Sequence, residues 1–151
     1  MTRDILRQAL PNLTDPKLLD RLLEKGQFST FEPGKTLMEP GQFVKAVPLV
    51  LEGSIKIMRM DEDGKELFLY YLEAGETCAL SLTCCSAARP SEIKAVVEEK
   101  VTVLFVPIQV HEQLTDEFKQ WKDFVSTTYQ HRFQEMLTVL DAVAFKRMDE
   151  R

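Results

Sequence analysis

The chain contains no apolar run approaching the ~20 residues that a membrane-spanning helix needs. Cysteine is scarce: three residues, two of them adjacent, which cannot make a disulfide framework and point to a reducing cytoplasm. Histidine is scarcer, with only His111 and His131, and neither falls in a stretch that reads as strand. That excludes a cupin-like metalloenzyme, whose site draws two or three histidines and a glutamate from strands. An excess of positive charge is also missing. With a formal charge of −5, nothing in the balance favours nucleic acid or an anionic membrane. The first residues interrupt their apolar pattern with Arg3, Asp4, Arg7 and Gln8, so they do not read as a signal peptide.

What is present is one domain's worth of chain, 151 residues with 44% hydrophobic, enough for a real core. Ile5, Leu6 and Leu10 suggest a short helix stopped near Pro11. Thr14 and Asp15 offer an N-cap for a second helix, with Pro16 in its first turn and Leu18, Leu19, Leu22 and Leu23 at helical spacing. Gly26 stands where a left-handed residue would end it. From Phe28 to Pro107 the pattern becomes short β-rich runs punctuated by turn residues: Val47–Leu51, Ser54–Met60, Leu67–Leu72, Ile93–Val97 and Val101–Val106. Glu62-Asp63-Gly64 reads as a hairpin loop with glycine at the position of positive φ. Many short antiparallel strands at this spacing mean a sandwich or a roll.

After Pro107 the chain turns helical and stays so. A short segment, Ile108–Leu114, leads to Thr115 as a candidate N-cap, and the next ~30 residues, to about Arg147, hold no glycine or proline. At 1.5 Å per residue that is ~45 Å, longer than a small roll. Val125, Tyr129, Phe133, Met136, Leu140 and Val143 recur every three or four residues, the pattern of a coiled-coil seam between two copies. Trp121, Phe124 and Leu137 lie on another side, available to pack on the roll. The ending Met148-Asp149-Glu150-Arg151 carries no stop signal and reads as a fragment boundary.

This order of elements resembles the Crp/Fnr family of transcription regulators. Val50-Leu51-Glu52-Gly53-Ser54-Ile55-Lys56-Ile57 is similar to its strand–Gly–strand signature. The run from Glu62 to Glu76 is similar to its hairpin and the turn entering the phosphate-binding cassette, and Ala144-Phe145 resembles the hinge before its DNA-binding domain. The resemblance implies an α+β fold: N-terminal helices, an antiparallel β-roll (jelly roll) of about eight strands, and a long C-terminal dimerisation helix. It implies a cyclic-nucleotide-binding-like sensor at 1–115 and a dimer helix with hinge at 116–151. It also implies a non-enzymatic, cytoplasmic homodimer that senses a small molecule, with DNA read by a helix-turn-helix domain outside these residues.

The family's cAMP-binding members hold a Gly-Glu pair at a short helix start and an Arg-Ser pair before the next strand. There the arginine and helix N–H groups take the phosphate and the glutamate takes the ribose. Here the first pair falls on Ala79-Leu80, so the ribose acceptor is missing. Arg89 falls at the arginine and Pro90 at the serine, with Ser91 a stand-in, while Met136 and Leu137 fall where a purine would lie. The resemblance therefore disfavours cAMP. It leaves a small anionic effector against Arg89, with Ser81, Ser91 and the backbone of Ala79, Leu80 and Leu82 as neighbours. Cys78, Cys84 and Cys85 read as small buried thiols filling the cassette, since adjacent cysteines suit one tetrahedral metal poorly. The family's iron–sulfur members cluster cysteines near the N-terminus, where this chain has none. His111 and His131 read as surface histidines on helices rather than haem ligands. The rival reading is a roll that binds no small molecule and serves as an interaction and dimerisation module.

Overall fold

The computed structural model describes residues 3–86 and 89–149. Two helices open it, α1 (Arg3–Ala9) and α2 (Pro16–Lys25). Asp15 caps α2 by accepting the Lys17 N–H at 2.9 Å, and Pro16 occupies the first turn, where a missing N–H costs nothing. Leu18, Leu19 and Leu22 are its buried face. Its stop differs from expectation, because Gly26 is extended (φ −80°) and not left-handed. Glycine is needed there for space: a Cβ would stand 2.5 Å from Leu104 Cδ1 and 2.6 Å from the Leu22 carbonyl.

Five strands follow among the described residues: β1 (Gln27–Phe31), β2 (Thr36–Met38), β3 (Ala46–Met60), β4 (Glu66–Glu73) and β5 (Ile93–Pro107), with α3 (Ala79–Ser86) between the last two. Every pairing is antiparallel, in the order β1-β5-β3-β4, and β2 also pairs with β5. The count falls short of eight for a physical reason. Val47–Leu51 and Ser54–Met60 are halves of one bent strand, as are Ile93–Val97 and Val101–Val106. β3 bends at Gly53 (φ +83°), where a Cβ would collide with the Lys100 carbonyl of β5, and the β3–β5 register slips three times between Val50 and Ile55.

The bend lets β3 serve two cores. Val47, Leu49 and Leu51 face the helices and pack in a cluster with Leu6, Leu19 and Leu104. Val50, Ile55 and Ile57 face the roll interior with Leu72, Ile93 and Val103. A segment covered on both faces is apolar at every position, which is why Val47–Leu51 shows no alternation. The β3–β4 hairpin closes as its sequence demands. The Asp61 carboxylate accepts the N–H groups of Asp63 (2.9 Å) and Lys65 (2.8 Å), and Gly64 takes φ +83°.

The C-terminal helix does not start at Thr115. α4 (Ile108–Glu117) runs through that residue, whose hydroxyl donates to the His111 carbonyl at 2.8 Å. Phe118 then goes extended (φ −125°), and α5 (Lys119–Asp149) runs unbroken for 31 residues, about 46 Å. The elbow is held by Trp121, fully buried, whose indole N–H donates to His111 Nδ1 at 3.0 Å. His111 is thus buried, not a surface histidine, whereas His131 is exposed beside Glu135. Gln120 ties the same elbow to the start of α2, accepting the N–H groups of Thr14 and Asp15.

Because Nδ1 accepts the indole proton, the neutral His111 imidazole carries its own proton on Nε2. Burial holds its pKa below the ordinary value, with Glu112 opposing that shift. The unfolded chain, near 6.5, therefore binds the proton more tightly. This contribution to stability is complete above pH 6.5 and is lost as pH falls below it toward the folded value. The wild-type urea midpoint should drop further between pH 7.5 and pH 5 than that of His111→Asn, whose Oδ1 accepts the indole proton without titrating. Equal drops in the two proteins would remove His111 from the pH dependence.

Candidate functional site

Two spaces adjoin α3. The inner one is a cavity of about 50 Å³ inside the roll, lined mostly by apolar side chains such as Leu37, Ile55 and Ile93, with Cys78 and Ser81 at its edge. The outer one is a groove of about 810 Å³ between β4, the start of α3 and α5. Leu67, Phe68, Leu69 and Tyr70 form its β4 wall, Ala79 and Leu80 its floor, and Arg132, Glu135, Met136, Thr138 and Val139 its α5 wall.

Arg132 is the hub of that groove, with its side chain only 13% exposed. Its guanidinium carbon stands 3.8 Å from the centre of the Tyr70 ring. It donates to Glu135 at 2.9 Å, to Glu76 at 3.4 Å and to the Tyr71 carbonyl at 3.5 Å. The long helix is thereby tied to β4 and to the turn that enters α3. Beneath the stacked guanidinium, the Tyr70 hydroxyl lies 3.6 Å from the Cys78 sulfur. Burial pushes the Tyr70 phenol well above its ordinary range and Cys78 adds to this, while Arg132 and the Leu80 amide pull the other way. Tyr70 stays a neutral phenol. Tyr70 lines the groove and Cys78 lines the cavity, so this pair stands in the wall between the two spaces.

The residues expected around one anion have different surroundings. Ala79 and Leu80 line the groove, but Ser81 faces the inner cavity and Leu82 is wholly buried in the core beneath the helices. Ser91 is buried at the start of β5, where its Oγ accepts the Ile93 N–H at 3.1 Å and donates to the Ile93 carbonyl at 3.2 Å. Arg89 is exposed and lines neither space. Met136 borders the groove, whereas Leu137 does not. Cys78 is a buried thiol, as read; the side chains of Cys84 and Cys85 lie outside the described residues. Among the described residues no cluster of three or more His, Cys, Asp or Glu side chains could hold a metal.

The α5 stripe also divides. Tyr129, Phe133, Met136, Leu140 and Val143 are exposed, but Val125 is half-buried and packs on the helical core beside Trp121 and Phe124. Val139 and Phe145 extend the exposed apolar surface beyond the expected seam, at 62% and 64% exposure. Sequence reasoning missed Arg132 and Tyr70. The one readable signal was an arginine beside an apolar stripe with Glu135 three residues on, a helical ion-pair spacing. No helix of the described residues is long and apolar enough to cross a membrane.

A bent antiparallel roll, a cassette helix between its last two strands and a groove walled by a long terminal helix make this a β-roll sensing domain. Residues 28–118 match the family model described as cyclic nucleotide-binding domain, and the chain belongs to that family. Solved structures share the fold. Thermus thermophilus catabolite activator protein is 21% identical with a TM-score of 0.74, the match covering 91% of this chain and 63% of that one. CLP of Xanthomonas campestris, described as a c-di-GMP-responsive global regulator, is 16% identical with a TM-score of 0.75, over 87% of this chain and 65% of that one. A Eubacterium rectale protein described as a Crp/Fnr-family transcriptional regulator is 15% identical with a TM-score of 0.76, over 92% and 65%. This chain thus spans less than two thirds of the length of those proteins. No curated protein matches the sequence.

Proposed function

We propose that this chain is the effector-sensing and dimerising part of a Crp/Fnr-type DNA-binding transcription regulator, acting in the cytoplasm by binding and not by turnover. The observation that carries the reading is the open apolar stripe of α5, where Tyr129, Phe133, Met136, Leu140 and Val143 stand 38% to 55% exposed beside the groove. A stripe of that extent on a helix needs a cover, and its spacing suits a second copy of itself. Residues 1–115 form the sensor. Residues 116–151, essentially α5 and the hinge, pair the two copies. DNA is read by a further domain, in the length by which the similar regulators exceed this chain.

The effector site is the groove. Its position between the cassette helix and the dimer helix lets an occupant bias how α5 is held. The nucleotide code is degenerate, because Ala79-Leu80 replaces the Gly-Glu pair and leaves a ribose hydroxyl without an acceptor, at a cost of ~1–3 kcal/mol. Arg89 and Ser91 are not part of the site we propose. The purified chain should sediment as a dimer at micromolar concentration and bind duplex DNA no better than any acidic protein of charge −5. A monomer under those conditions, or specific salt-sensitive DNA binding by residues 1–151, would overturn this division of labour.

A further inference from the structure

Resting on the reading that the groove is the effector site, we infer that its occupant is an uncharged, largely apolar small molecule and not a phosphate ester. The groove's volume, about 810 Å³, is in the range of pockets for drug-sized ligands. Most of its lining is apolar: Leu67, Phe68, Leu69, Leu80, Met136 and Val139. Its one cation is already engaged. Arg132 is held between Glu76 and Glu135 with the Tyr70 ring against its face, so its charge is offset by two carboxylates, one of which, Glu135, also lines the groove. An entering phosphate would meet net negative charge and would have to break ion pairs made by a largely buried guanidinium. Arg89, the arginine expected to take an anion, does not line the groove. An uncharged apolar molecule meets none of these costs. It covers side chains outside the proposed dimer stripe that are wet on the single chain, since Leu67, Phe68 and Val139 are all 46% exposed or more.

The test uses the intact dimer and the uncharged fluorophore N-phenyl-1-naphthylamine, with cAMP, cGMP and inorganic phosphate as competitors. Saturable binding of one probe per chain is expected, unaffected by any of the three anions. Leu80→Glu and Phe68→Glu, both on the groove wall, should each weaken it at least about tenfold by placing a carboxylate against the apolar probe. Sedimentation and thermal unfolding of Phe68→Glu, whose ring is exposed and outside both cores, should stay as in the wild type, which separates loss of the site from loss of the fold; Leu80 packs partly on the roll core, so its variant should also lose some stability. Displacement by cAMP, together with calorimetric cAMP binding that Phe68→Glu abolishes, would overturn the apolar class while leaving the sensing role standing. Probe binding that appears only in the monomeric Phe133→Glu/Leu140→Glu variant would mean that a second copy fills the groove, and the sensing reading would fall with it. Binding equal in wild type and both groove variants would place the probe elsewhere and refute the site.

Discussion

Phe133→Glu combined with Leu140→Glu should convert the proposed dimer into a monomer, raising the dimer dissociation constant at least about a thousandfold. The two residues are seven apart on α5 and so share one face, and they are 54% and 55% exposed on the single chain. In a two-fold pairing each would lie near its own counterpart, so the variant sets four carboxylates into one seam. Each buried charge costs several kcal/mol without a partner, and the apolar contact is lost as well. The fold of one copy should be untouched, because neither side chain belongs to its core. Sedimentation equilibrium reads the first effect, and far-ultraviolet circular dichroism the second. Val125→Glu supplies the contrast: Val125 packs on the helical core, so its loss should lower folding stability as well. A double variant that remains dimeric would move the seam away from this stripe.

Trp121→Ala should lower folding stability by about 3–5 kcal/mol, the range for deleting a fully buried large side chain. Trp121 is 0% exposed and sits where α4, α5 and the N-terminal helices meet, against Phe124 and the His111 ring. Its removal leaves a cavity and deprives His111 Nδ1 of its donor. Trp121→Phe should recover most of the packing but not that hydrogen bond, and should fall between the two. Since Trp121 is the chain's single tryptophan, urea unfolding must be followed by circular dichroism. An alanine variant within about 1 kcal/mol of wild type would show that the elbow collapses around the vacancy, outside the usual range for such a site. The same elbow fixes where α5 departs from the roll, so the variant also reports how firmly the helix is anchored.

Local chemistry was readable wherever neighbours in sequence supply it. The Asp15-Pro16 start of α2, the Asp61–Gly64 hairpin and the exposed side of α5 each follow from a cap, a turn or a period. The roll itself was legible because alternation and turn residues recur across 28–107. Boundaries failed where a contact far along the chain decides them. Nothing near Phe118 breaks a helix by composition, yet the chain goes extended there and buries Trp121 one turn later. Gly26 looked like a left-handed stop because the side chain of Leu104, distant in sequence, could not be seen pressing on it.

The sequence by itself determined the class of fold and the long helix with an apolar stripe. Each of those rests on residue type and short-range period, which a single chain displays in full. Tertiary structure alone decided which side chains meet along the groove. Folding brings Glu76 and Tyr70 to Arg132, 56 and 62 positions away, and gives Ser81, Ser91 and Arg89 different surroundings although they lie within eleven residues of one another. The reason is that a helix start, a loop and a strand start each orient successive side chains differently. Closeness in sequence therefore fixes neither which space a residue faces nor which charge it meets.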